Sequence, residues 1–203
     1  MSNYSESVSD IHQYGIDLKN RKIYLHGAKD SEEDPGVDYK MSVNFLKNIE
    51  LLDSINHKPI HISMQSIGGS WAPGMVIFDA ITNAKSPVTI VVHGQAESMS
   101  SIILQAADKR LITQNAYCMI HYGSTSITGE YQNVQNWCRF EKQLLEVMID
   151  IYAKKCKGGK FFKQKKYTVD QIKTYLKRKM KNGDWYMTAS EAVYYGFADG
   201  IYK

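Results

Sequence analysis

This sequence predicts an α/β domain built on a largely parallel sheet. Short runs rich in β-branched residues, two of them opened by proline, alternate with longer segments whose apolar residues recur every three to four positions. The proline-opened runs are Ile60-His61-Ile62-Ser63-Met64 after Pro59 and Val88-Thr89-Ile90-Val91-Val92 after Pro87. Strands and helices in alternation build a parallel sheet with helical crossovers. The 203 residues are 43% hydrophobic and include only four prolines, enough to bury one large core. Neither a repeat nor a linker divides them, so 1–203 reads as a single domain.

In chain order, residues 1–17 are polar and expected to be flexible. Lys22 to His26 reads as a first strand closed by Gly27, and 28–36 as an acidic turn (Asp30, Glu32, Glu33, Asp34, Pro35). Met41, Phe45, Ile49 and Leu52 follow the helical period and predict an amphipathic helix over 37–54. Beyond the strand that Pro59 opens, Gly68-Gly69-Ser70 turns into a helix over 73–83, where Pro73 near the first turn loses no hydrogen bond. The strand at 88–92 leads through 93–98 into a buried helix carrying Ile102, Ile103, Leu104, Ala106 and Ala107. Two short strands follow at 111–113 and 117–121. A long helix spans 130–155, with Val134, Trp137, Phe140, Leu144, Val147 and Ile151 on one stripe. A lysine-rich insertion at 154–166, a helix at 169–181 and a strand at 185–187 come next. Thr188-Ala189-Ser190-Glu191 has the form of a capping box opening a last helix through Tyr195.

Composition excludes several classes. No run of 18 apolar residues is present, and residues 1–20 hold Glu6, Asp10 and Asp17 but no apolar block, so neither a membrane span nor a secretory signal is expected. Cys118, Cys138 and Cys156 are odd in number and lack CxxC spacing. They predict reduced thiols in a cytoplasmic setting, with neither a disulfide frame nor a zinc site; no cofactor is expected. The net charge of +4 hides an asymmetry: between 154 and 181, twelve Lys or Arg residues meet the single acid Asp170, a local charge of +11. Such a block can face nucleic acid or an acidic partner, but is more often a solvated surface. A nucleic-acid partner is not expected.

The chemistry centres on Ser98, which sits where a strand turns into a helix. Helix N-termini carry unpaired N–H groups that stabilise an oxyanion, and a serine there projects its hydroxyl into the crevice at the strand's end. Taken alone, a serine in this position is more often simply an N-cap. A serine becomes nucleophilic only beside a base, and His121, ending the apolar run Met119-Ile120, reaches the same crevice. The other five histidines lie in polar or alternating contexts. Asp184 has the position of an ordinary turn residue, and composition would not select it.

At these residues the sequence resembles the Clp protease proteolytic subunit (ClpP) family of serine peptidases. The resemblance covers about 14–202. Gly68-Gly69-Ser70 with Gly74, Met75, Ile77 and Asp79 looks like the family's glycine-rich turn and helix, and Gly94-Gln95-Ala96-Glu97-Ser98-Met99 like its nucleophile motif. Asn115 with Met119-Ile120-His121 resembles its histidine strand. Asp184-Trp185-Tyr186-Met187, followed by Glu191, Ala192, Tyr195, Gly196 and Asp199, resembles its aspartate segment. The resemblance implies a crotonase-like spiral of ββα units with a long handle helix. It implies Ser98 as nucleophile, His121 as base, Asp184 as the orienting acid, and an oxyanion hole from the N–H groups of Gly69 and Met99. Ser66, Ile67, Gly68, Ser70 and Trp71 are then expected to hold peptide backbone. It further implies unfolded polypeptide as substrate and heptameric rings stacked as a tetradecamer. An AAA+ unfoldase, the only user of ATP, would supply the chamber.

Several positions depart from the family. Ile67 stands for a proline, Glu97 for a small residue, Ser100 for a glycine, and Tyr122-Gly123 for the frequent Gln-Pro. Glu97 either lies near His121 and raises the imidazole pKa, or points away and supports the helix. The insertion at 154–166 either brings seven lysines to the equator between two rings or splays into solvent. Two rivals stand beside the peptidase: a catalytically silent ring subunit, and a crotonase-like binder of acyl-CoA thioesters. The latter needs no Ser–His–Asp set.

Overall fold

The computed structural model describes residues 2–27 and 36–203; the acidic stretch 28–35 lies outside the described residues. Eight helices and eight strands are found among them. The first part of the chain gives α1 (Ser2–Tyr14), β1 (Ile16–Asp17), β2 (Lys22–Gly27), α2 (Tyr39–Ile55), β3 (Ile60–Ser66), α3 (Trp71–Asn83), β4 (Val88–Glu97) and α4 (Met99–Leu104). The second gives β5 (Lys109–Thr113), β6 (Tyr117–Ile120), α5 (Tyr131–Cys156), α6 (Lys160–Lys165), α7 (Val169–Met180), β7 (Trp185–Thr188), α8 (Ala189–Tyr195) and β8 (Gly200–Tyr202).

The sheet is largely parallel, as the alternation predicts. Its spine is β2-β3-β4-β5-β8, all parallel, with β1 antiparallel on the β2 edge. Burial follows the period of two: Ile60, Ile62 and Met64 are fully inward, while His61 and Gln65 face out. α2 buries Phe45, Ile49 and Leu52 and α3 buries Ile77 and Ile81 in the same core. Asp38 caps α2 by accepting the Met41 N–H at 2.7 Å. Arg21 closes its other end, donating to the carbonyls of Leu52 (2.8 Å) and Asn56 (3.0 Å). No helix among the described residues is long and apolar enough to cross a membrane.

The strand before Ser98 is twice as long as the five residues expected. It continues to Glu97 because Gly94, at φ 69°, lets it bend instead of ending. β3 pairs with β4 on both sides of the bend, from Ile60↔Val88 to Ser66↔Ala96, but the neighbour on the other side changes from β5, up to Val92↔Ile112, to β6, from Gln95↔Tyr117 to Glu97↔Met119. β7 then adds to β6 antiparallel. This change of partner splits the sheet and opens the crevice in which the site lies.

Other elements differ from expectation. Residues expected to be flexible form α1 and β1, with Ile16 buried and paired with Ile23. In α5 the face turned to the body carries Met148, Ile149, Tyr152, Ala153 and Cys156, not the predicted stripe. Of that stripe, Trp137 and Phe140 are exposed (41% and 48%) because the first turns of α5 project beyond the body, and Val147 (44%) because it lies on the outer face beside buried Met148 and Ile149. The lysine-rich insertion is no splayed loop. It folds into α6, anchored by Phe162 at 1% exposure and by Phe161, whose ring lies 5.0 Å from Tyr195 and 5.1 Å from Tyr175. The capping box is formed as its spacing predicts, with both Thr188–Glu191 bonds present.

Candidate active site

Two strand pairings assemble the site. Parallel pairing of Glu97 with Met119 sets the end of β4 beside the end of β6, and the Ser98 N–H donates to the Met119 carbonyl at 2.9 Å. Antiparallel pairing of Ile120 with Trp185 makes His121 and Asp184 the next opposed pair in register. Ser98 itself holds φ 49° and ψ −123°, a conformation that costs a non-glycine residue about 1–3 kcal/mol. It turns β4 into α4 within one residue and raises the hydroxyl into the crevice.

The three side chains meet. Ser98 Oγ lies 2.8 Å from His121 Nε2, and His121 Nδ1 lies 3.1 Å from Asp184 Oδ1. With its proton on Nδ1, where only a carboxylate faces it, the imidazole leaves Nε2 as an acceptor for the serine proton. The His121 side chain is a quarter exposed and that of Asp184 about half.

The glycine pair presses against this elbow. A Cβ on Gly68 would lie 2.6 Å from the Glu97 carbonyl, 2.7 Å from the Met99 nitrogen and 2.8 Å from Ser98 Cβ; φ is +88° there and +154° at Gly69. Both positions therefore demand glycine, for space as well as for backbone conformation. Val37, which the sequence did not single out, holds the turn from the far side. Its N–H donates to the Gly68 carbonyl and its carbonyl accepts the Ser70 N–H, both at 2.8 Å. Of the stretch expected to hold peptide backbone, Ile67, Ser70 and Trp71 reach the surface, as does Gly69. Ser66 does not: it is fully buried and turned inward, bonded to the Gly68 N–H and to Ser100 Oγ, so its side chain is not available to a peptide. Only side chains remote in sequence could reveal this, and no local pattern marks them.

Glu97 takes a partner that neither expectation named. Its carboxylate accepts from Tyr117 Oη at 2.7 Å, and it makes no hydrogen bond to His121. That bond, burial and the carboxylate's charge push the Tyr117 phenol up to about 12.

A serine, a histidine and an aspartate hydrogen-bonded in series on an α/β scaffold form the arrangement used by serine hydrolases. The Clp protease family model matches residues 10–203. The ATP-dependent Clp protease proteolytic subunit of Deinococcus radiodurans is 29% identical over 196 residues, covering 94% of this chain and 89% of the relative. The ATP-dependent Clp protease proteolytic subunit 2 of Pseudomonas aeruginosa is 30% identical over 186 residues, covering 91% and 82%. The chain belongs to the Clp protease family, and its mixed α/β architecture is the crotonase-like fold of that family.

Proposed function

We propose that this chain is a serine endopeptidase cleaving unfolded polypeptide through an acyl-enzyme. The 2.8 Å contact between Ser98 Oγ and His121 Nε2 carries the reading. His121 removes the Ser98 proton as Oγ attacks the scissile carbonyl. The tetrahedral oxygen collects its charge against the N–H groups of Gly69 and Met99, aimed before the reaction begins. Collapse expels the amine, which takes the proton back from His121; water, deprotonated in turn by His121, then releases the carboxylate product and restores Ser98. Asp184 fixes the imidazole tautomer and supports its charged form. Substrate runs along 67–71 as an added strand.

The reading extends to assembly. Exposed Tyr131, Trp137, Phe140 and Val147 on α5 support its role as a handle buried between subunits, in heptameric rings stacked as a tetradecamer. An AAA+ unfoldase would supply substrate. Three unpaired thiols support a cytoplasmic location; burial pushes that of Cys118 up to about 12.

A fluorophosphonate probe, which labels only an activated serine, tests the reading. Wild type is expected to be labelled at Ser98 and to hydrolyse a fluorogenic peptide. Ser98→Ala should abolish both, with a kcat loss on the order of 10⁴-fold or more, and leave assembly unchanged. Hydrolysis retained in purified Ser98→Ala would overturn it; an unlabelled, inactive wild type would favour a silent ring subunit.

A further inference from the structure

We propose that Ser100 is a positioning residue for the oxyanion hole, acting through Ser66 on the turn that carries Gly69; this rests on the serine-peptidase reading. Ser66 closes β3 and Ser100 is the second residue of α4, and both are fully buried. Ser100 Oγ donates to Ser66 Oγ at 2.7 Å, and the Gly68 N–H donates to the same oxygen at 3.2 Å. One buried oxygen therefore ties α4 to the glycine turn. Each tied atom is one residue from a donor of the hole: Ser100 follows Met99, and Gly68 precedes Gly69.

The geometry of the Gly68–Gly69 peptide makes this tie matter. Its carbonyl is pinned by the Val37 N–H at 2.8 Å. In a trans peptide the N–H and the carbonyl point in opposite directions, so the pinned carbonyl turns the Gly69 N–H away from Val37. Ser66 holds the preceding amide, and Ser100 holds Ser66 relative to the nucleophile helix. The spacing between the two oxyanion donors is thereby set by buried hydrogen bonds as well as by the backbone. A donor aimed at the transition-state oxygen contributes to kcat far more than to substrate binding. Loosening its aim should therefore lower kcat and spare KM.

The experiment compares Ser100→Ala and Ser100→Gly with wild type in sedimentation, peptide hydrolysis and inhibition by a peptide aldehyde, whose hemiacetal oxygen occupies the hole. Ser66→Ala alone and combined with Ser100→Ala completes the cycle. In the assembled Ser100 variants, kcat should fall about 10-fold, as expected for the loss of one hydrogen bond, with KM within about two-fold. The aldehyde inhibition constant should rise by a similar factor, and the double variant should be no worse than Ser66→Ala. If both Ser100 variants assemble and keep wild-type kcat, the proposal fails. It fails equally if kcat drops while aldehyde affinity holds, since Ser100 then acts elsewhere. Fluorophosphonate labelling of wild type separates the two failures: a labelled wild type with indifferent variants sinks only this proposal, whereas an unlabelled, inactive wild type sinks the peptidase reading and this proposal with it.

Discussion

Ser98 and Glu97 are adjacent, yet their side chains have separate tasks. The positive φ at Ser98 directs its hydroxyl to His121, while Glu97, still in strand conformation, turns to Tyr117 across the β4–β6 pair. The acid beside the nucleophile thus works within the sheet. Removing it should lower the Tyr117 phenol from about 12 toward its ordinary value near 10, because the lost hydrogen bond is the largest cause of its rise and the carboxylate's charge adds to it, while burial still holds it somewhat up. Both values lie above the range in which an imidazole titrates. The pH–rate profile of Glu97→Ala between about pH 5 and 9 should therefore superimpose on that of wild type. Ultraviolet titration of the phenols should show the Tyr117 shift separately. A displaced rising limb in the Glu97→Ala profile would mean that the carboxylate acts on His121 after all.

At the scale of elements, α6 joins the least expected composition to the firmest anchoring. Its lysines point outward while Phe162 enters a cluster with Tyr167, Tyr175 and Tyr195. Phe162→Ala should cost about 3–5 kcal/mol, the usual range for deleting a fully buried phenylalanine. A lowered thermal midpoint checks this, and an unchanged midpoint would mean that α6 is not held by its ring. Strands such as β3 and the cap of α8 were legible because period and capping are local. α6 was not, because two aromatics among lysines show no period until α7 and α8 supply the opposite wall. β1 and β8, two and three residues long, are too short to show a pattern. The site divides the same way. His121 stands at a strand end that its own apolar run announces; the run before Ser98 marks the strand but not its polar continuation over 93–97, and Asp184 emerged only from the family resemblance. Val37 joins the site through a bridge to Gly69, and Ser100 through a bond to Ser66 that spans 34 residues, contacts too remote in sequence for any local pattern to show.

For the whole molecule, the basic segment has two unlike halves. On α7 the charges are answered by α5: Lys173 reaches Asp150 and Lys177 reaches Glu146, each at 2.5 Å. In the insertion, Lys154, Lys157, Lys160, Lys163, Lys165 and Lys166 are exposed and make no salt bridge among the described residues. If α5 brings copies together, these uncompensated charges are brought together with it. Exposed like charges repel across a Debye length of roughly 30 Å at 0.01 M salt but only about 8 Å at physiological ionic strength. Assembly should therefore shift from smaller species in dilute buffer toward larger ones as salt rises, which sedimentation velocity across a salt series would read. Exchanging Lys160, Lys163, Lys165 and Lys166 for glutamine removes the charge while leaving Phe162 in place. That variant should assemble at low salt as wild type does at high salt. Identical mass distributions for the two proteins at every salt concentration would show that the insertion plays no part in assembly, and would turn the search for its purpose to an acidic partner.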